Sequence, residues 1–260
     1  MTGEHPFDGQ NLTYEARLKF WDDYSVKYSG FQQGDIPDRV VDRLFELGAL
    51  KPDDCVLEVG SGPGTYSLKM APRVRILTCM DTSPRMLDRL FASAEEAGYT
   101  NIERFEQDWN HYKPRKGYDV CIGTLCPGIG TPASVERMEG AARRSCVSVS
   151  WVCNHGDDLN AEIWQKLGRD YGYSWRSSTK FQDWLSDNGR DPTVEFFDTR
   201  VKADIPVEEM VAKETCAFAS YGLEDKAKAA AEEILADRSD DGIIHYDEVN
   251  RMKLIVWDSR

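Results

Sequence analysis

Glu58-Val59-Gly60-Ser61-Gly62-Pro63-Gly64 decides how this chain is read. It follows a short apolar run, Cys55-Val56-Leu57, and precedes a helix-like stretch from Thr65 to Ala71. An acidic residue closes a strand, and three glycines then turn the backbone. Glycine tolerates positive φ and lets a ligand approach the main chain closely. A helix starting there offers unpaired N–H groups and a partial positive charge to an anion. The segment is predicted to cradle a small ligand carrying a carboxylate or a phosphate.

Outward from this loop, apolar runs alternate with helical patterns. Strands are predicted at Cys55–Val59, Arg75–Met80, Ile102–Phe105, Val120–Gly123 and Val147–Val152, with helices between them at Thr65–Ala71, Ser83–Ala97 and Ala133–Arg144. Such alternation argues for a parallel sheet with helices on both faces. Right-handed crossovers put the loops after the strands on one edge, where ligands bind. Beyond it, Leu159–Tyr171 and Phe181–Asn188 read as helices, Val194–Val201 as a sixth strand, 206–237 as helical, and Met252–Trp257 as a terminal strand. Residues 12–50 carry helical periodicity, with Pro37 opening a second helix and Gly48 helping to end it. The expected organisation is an N-terminal helical cap (1–50) and a main domain (51–260) with a helical insertion at about 204–245.

The glycines run G-x-G-x-G rather than the G-x-G-x-x-G of dinucleotide-binding folds. Asp81 ends the next apolar run, 21 residues after Gly60, a distance that lets a strand–helix–strand unit bring a carboxylate to a ribose. Asp81-Thr82-Ser83-Pro84-Arg85-Met86-Leu87 follows. Loop, spacing and segment together resemble the class I S-adenosylmethionine-dependent methyltransferases of the small-molecule type. The resemblance implies a three-layer Rossmann-like α/β fold with a mostly parallel sheet of seven strands, the last antiparallel. It covers about residues 54–152 by motif and the rest by element order.

The resemblance also implies roles. Glu58 shapes the loop and meets the methionine amino end of the cofactor, directly or through water. The backbone of Gly60, Gly62 and Gly64 lies against the methionine part, and Asp81 accepts hydrogen bonds from the ribose hydroxyls. Thr82 and Met86 border the adenine, unless Met86 is plain core. Asp108, in Gln107-Asp108-Trp109, accepts from the adenine amino group or is a solvated loop residue; Trp109 lies alongside. Thr124 and Leu125 line the sulfonium side. Tyr28 either closes over the methionine carboxylate or belongs to an aromatic stripe that buries the cap.

After strand four the chain reads Thr124-Leu125-Cys126-Pro127, not the Asn/Asp-Pro-Pro-Tyr/Phe of amino-group methylators of nucleic acids. It offers no carboxylate for a catechol-type metal site or for a polyamine, so no metal is expected and an aminopropyl transferase is disfavoured. His155, after strand five, is either a general base or an inert loop residue. Cys126, Cys153 and His155 could converge on a thiophilic substrate such as arsenite, though without metal-ligand spacing.

The bulk numbers set the class. With 260 residues and 41% hydrophobic content the chain can bury a substantial core. Lys and Arg number 32 against 45 Asp and Glu, and a net charge of −13 opposes a phosphate backbone. Seven cysteines without a C-x-x-C pair argue against a disulfide framework. No apolar run reaches membrane-span length, and the N-terminus lacks a signal-peptide layout. A soluble cytoplasmic enzyme, monomer or homodimer, acting on a small molecule is expected; a cofactor-binding subunit without turnover is the alternative.

Overall fold

A computed structural model describes residues 13–28, 33–153, 155–169 and 180–260. Its strands are β1 (Cys55–Val59), β2 (Ile76–Asp81), β3 (Ile102–Glu106), β4 (Tyr118–Thr124), β5 (Ala142–Cys153), β6 (Thr193–Pro206) and β7 (Ile243–Asp258). Helices are α1 (Tyr14–Lys27), α2 (Ile36–Glu46), α3 (Ser67–Met70), α4 (Pro84–Glu96), α5 (Pro132–Ala141), α6 (His155–Lys166), α7 (Lys180–Asp187), α8 (Val207–Thr215) and α9 (Glu224–Ala236). The sheet runs β3-β2-β1-β4-β5-β7-β6. The first five strands pair in parallel, and the last two form the antiparallel side of the Rossmann-like methyltransferase order.

The chain divides into two compact units, Asp35–Val152 with Trp175–Phe197 and Met252–Arg260, and Met1–Gly34 with Cys153–Ser174 and Asp198–Arg251. Of the expected N-terminal cap, α1 belongs to the second unit and α2 to the first. The first unit has two cores, one on each sheet face. On one face Val40 and Leu44 of α2 and Leu87 and Leu90 of α4 meet Val56, Leu77, Ile122 and Val147. On the other, Val135 and Met138 of α5 and Phe181 and Leu185 of α7 meet Leu57, Cys121, Ile255 and Trp257. Burial on both faces explains why β1 is apolar almost without interruption. Registers Val59 to Met80 and Val59 to Gly123 align the carboxyl ends of β1, β2 and β4 on one edge.

The second unit packs α6, α8 and α9 around Trp164, Phe218, Leu235 and Tyr246. Asp198 with Arg251 (2.6 Å) and Arg200 with Asp247 (2.6 Å) tie β6 to β7 across their antiparallel pairing.

Several boundaries differ from expectation. The helix after the glycine loop is a single α-turn, Ser67–Met70, continued as a 3-10 turn over Ala71–Arg73; Pro72 cannot supply the next N–H. A helix this short has little dipole of its own. α5 passes straight into β5 at Ala142, whose φ of −89° and ψ of 143° are extended, so Arg143 and Arg144 are strand rather than helix. α6 opens at His155 rather than Leu159 and stops before Gly168, whose φ of +73° suits a left-handed terminus.

Candidate active site

The glycine loop is pinned to the end of β2. Gly60 and Ser61 donate their N–H groups to the Met80 carbonyl at 2.7 and 3.0 Å. Asp81, half-buried, accepts from the Gly62 N–H at 2.8 Å and from the Ser83 N–H at 2.9 Å. One carboxylate thus ties the loop after β1 to the loop after β2. Gly60 and Gly62 have φ of +67° and +53°, a conformation that costs a side-chain-bearing residue strain. Gly60 also lacks room: a Cβ there would stand 2.5 Å from Cys126 Sγ and 2.8 Å from Cys126 Cβ. The strand-four loop reaches this contact through Leu125, which adopts φ of +54°.

Glu58 does not face outward. It is 0% exposed and accepts from Ser67 Oγ at 2.5 Å and Thr124 Oγ1 at 2.9 Å. The carboxylate braces β1 against α3 and the end of β4. Burial raises its pKa to about 7, against the lowering effect of the two hydroxyls. Thr124, expected to line the sulfonium side, spends its hydroxyl on this brace.

Asp108 caps a 3-10 turn over Trp109–His111, accepting from the Asn110 N–H at 2.9 Å and contacting His111 Nδ1 at 2.8 Å. Trp109 is buried and stacks on Tyr112 with ring centroids 5.5 Å apart. Thr82 is half-buried and Met86 fully buried at the start of α4. Tyr28 lies in the other unit, where its hydroxyl accepts from Gln33 Nε2 at 2.8 Å. His155 and Cys153 have side chains outside the described residues. Among the described residues no three His, Cys, Asp or Glu side chains gather as a metal site.

Sequence reasoning passed over Ser61, Ser67 and Cys126 as parts of this loop. Ser61 is 5% exposed, and its Oγ is buried without a partner among the described residues. An unmatched buried hydroxyl beside Asp81 and three left-handed glycines fits a polar ligand with sugar and amino-acid groups.

Residues 56–145 match the family model described as a methyltransferase domain. Over this stretch, 90 of the 260 residues, the chain carries a methyltransferase domain. Among curated proteins it is similar to an rRNA adenine N-6-methyltransferase of Saccharopolyspora erythraea, 28% identical over 44% of the chain and 34% of the relative. The chain spans 56% or less of the length of the curated relatives it matches. Among solved structures the methyltransferase domain shares its fold with the YcgJ protein of Bacillus subtilis (TM-score 0.56, 13% identity, 85% of the chain and 98% of that chain). Magnesium protoporphyrin IX methyltransferase of Synechocystis, solved with S-adenosylhomocysteine, aligns with a TM-score of 0.52 at 18% identity over 87% and 83% of the two chains.

Proposed function

We propose that this protein transfers the methyl group of S-adenosylmethionine to a small-molecule acceptor. The observation that carries this reading is Asp81, a carboxylate at the end of β2 tied by its two oxygens to the Gly62 and Ser83 amides. Its remaining lone pairs stand where ribose hydroxyls would donate. Gly60, Gly62 and Gly64 give the methionine part a backbone to lie against, with Ser61 Oγ as an unmatched polar partner. Thr82, Met86, Asp108 and Trp109 frame the adenine. When bound, the cofactor supplies a methyl carbon activated by sulfonium. The chain's task is to orient the acceptor and exclude water.

The relative that carries an rRNA methyltransferase name raises an RNA acceptor as a second reading. A net charge of −13 and the sequence Thr124-Leu125-Cys126-Pro127 weigh against it. No described helix is long and apolar enough to cross a membrane.

Calorimetric titration with S-adenosylhomocysteine tests the cofactor site. Asp81→Ala removes the ribose acceptor and leaves two backbone amides unmatched, so binding is expected to weaken by about 1–3 kcal/mol. Unchanged affinity in that variant would dismiss the ribose assignment. A panel of candidate metabolites assayed for S-adenosylhomocysteine release then separates turnover from silent binding. Release with RNA and with no metabolite would overturn the small-molecule reading.

A further inference from the structure

Trp109 and Arg137 carry an inference about the acceptor, which rests on the methyl-transfer reading. Trp109 is 5% exposed and packs with Val59, Met80 and Cys126. Its indole Nε1–H is buried and has no acceptor among the described residues. Leaving such a donor unmatched costs about 1–3 kcal/mol, and native proteins match most of them. The indole Cδ1, bonded to that nitrogen, lies against the strand-four loop. A Cβ on Gly128 would stand 3.2 Å from Cδ1 and 3.5 Å from Cys126 Sγ. The edge carrying the donor therefore faces the loop whose thiol abuts Gly60.

Arg137 of α5 stands over the same indole, its Cζ 5.4 Å from a ring centroid. It donates to the Asn110 carbonyl at 3.5 Å, the outer limit of a hydrogen bond. Among the described residues no carboxylate pairs with it. Arg104, Arg143, Arg144 and Arg190 of the same unit each hold an acidic partner. Among the described residues Arg75 and Arg115 also lack an acidic partner but are exposed, whereas Arg137 is half-buried. Stacking on an aromatic face leaves its edge donors available, and that planar fork matches a carboxylate.

We infer that Trp109 Nε1–H and the Arg137 guanidinium form an oxyanion subsite beside the cofactor loop, and that the methyl acceptor carries a carboxylate. The indole donor fixes one oxygen by direction, and the guanidinium supplies the countercharge. The cofactor's own carboxylate belongs to the methionine part, which the methyl-transfer reading lays against the backbone of Gly60, Gly62 and Gly64. Its adenosine carries no anion, so this charge is assigned to the acceptor.

The test uses the full chain saturated with S-adenosylhomocysteine and reads the indole N–H resonances of its seven tryptophans. Trp109→Phe identifies the resonance; should that variant not fold, sequential assignment through Asp108 and Asn110 replaces it. Benzoate is the carboxylate probe, with sodium chloride at matched ionic strength as control. The Trp109 signal is expected to move downfield saturably with benzoate and not with chloride. In Arg137→Gln the benzoate affinity is expected to fall by about fivefold or more. A stationary signal overturns the subsite. So does a signal that S-adenosylhomocysteine alone moves and benzoate leaves unchanged, because the donor then serves the cofactor. A tighter response to inorganic phosphate than to benzoate overturns the carboxylate assignment. Calorimetry on the same samples reports cofactor binding separately, so failure of that site is told apart from failure of this one.

Discussion

Gly60→Ala is expected to destabilise the sheet unit by about 2–5 kcal/mol and to abolish measurable S-adenosylhomocysteine binding. Two costs add. A φ of +67° is unfavourable for any residue with a Cβ. The new methyl would also meet Cys126 Sγ at 2.5 Å and Cys126 Cβ at 2.8 Å. The second of these atoms is close to the backbone and cannot swing aside as a long side chain would. Gly62→Ala separates the two costs. Its φ is +53°, but nothing lies within 4 Å of the added Cβ. Only the backbone term remains, about 1–2 kcal/mol. Urea denaturation of the two variants makes the comparison. Cys126→Gly placed in the Gly60→Ala background should recover the packing share and leave the strain. Equal losses at Gly60 and Gly62 would show that the Cys126 contact does not constrain the loop.

That contact also shows where sequence reasoning stops. The loop's glycines, Asp81 and the alternation of strands with helices were all readable because each rests on local chemistry. A turn needs glycine, a parallel strand buried on both faces needs a continuous apolar run, and a crossover fixes the distance to Asp81. The seven-stranded order with an antiparallel side followed from the resemblance and is the order present. Contacts across the fold were not readable. Cys126 meets Gly60 from 66 positions away, and Arg137 meets Trp109 from another element. Thr124 is expected by position to line the ligand, and its bond to Glu58 from 66 positions away was not readable beside that. β7 was expected over Met252–Trp257 and begins at Ile243. Its outer half is rich in charge, and charge lowers local strand signal. The compensating partners, Asp198 and Arg200, are supplied by β6 and lie about 50 positions away in the chain.

Glu58→Gln is expected to remove a pH dependence of stability that the wild-type chain shows between about pH 5 and 8. The group is a carboxyl with a raised pKa, so its sign is opposite to that of a salt-bridged carboxylate. Folded, burial holds its pKa at about 7, against a reference value of 4.5 for the unfolded chain. Between those values the folded state holds more protons than the unfolded one, and stability falls as pH rises. Below about pH 4.5 both states are protonated and the contribution is fully present; above about pH 7 both are ionised and it is gone. Over pH 5 to 8 the loss amounts to about 2–3 kcal/mol. Glutamine keeps the shape and carries no proton to lose. Its amide oxygen can accept from Ser67 or Thr124, while the other hydroxyl must turn to accept from the amide nitrogen. The variant is therefore expected to start less stable at pH 5 and to close the gap with the wild type as pH rises. Urea midpoints at pH 5, 6, 7 and 8 measure this difference directly. Other titrating groups cancel in the comparison because they are common to both chains. Profiles that run parallel across the whole range would mean that Glu58 is already ionised in the fold at pH 5. The two hydroxyls would then outweigh burial at this site.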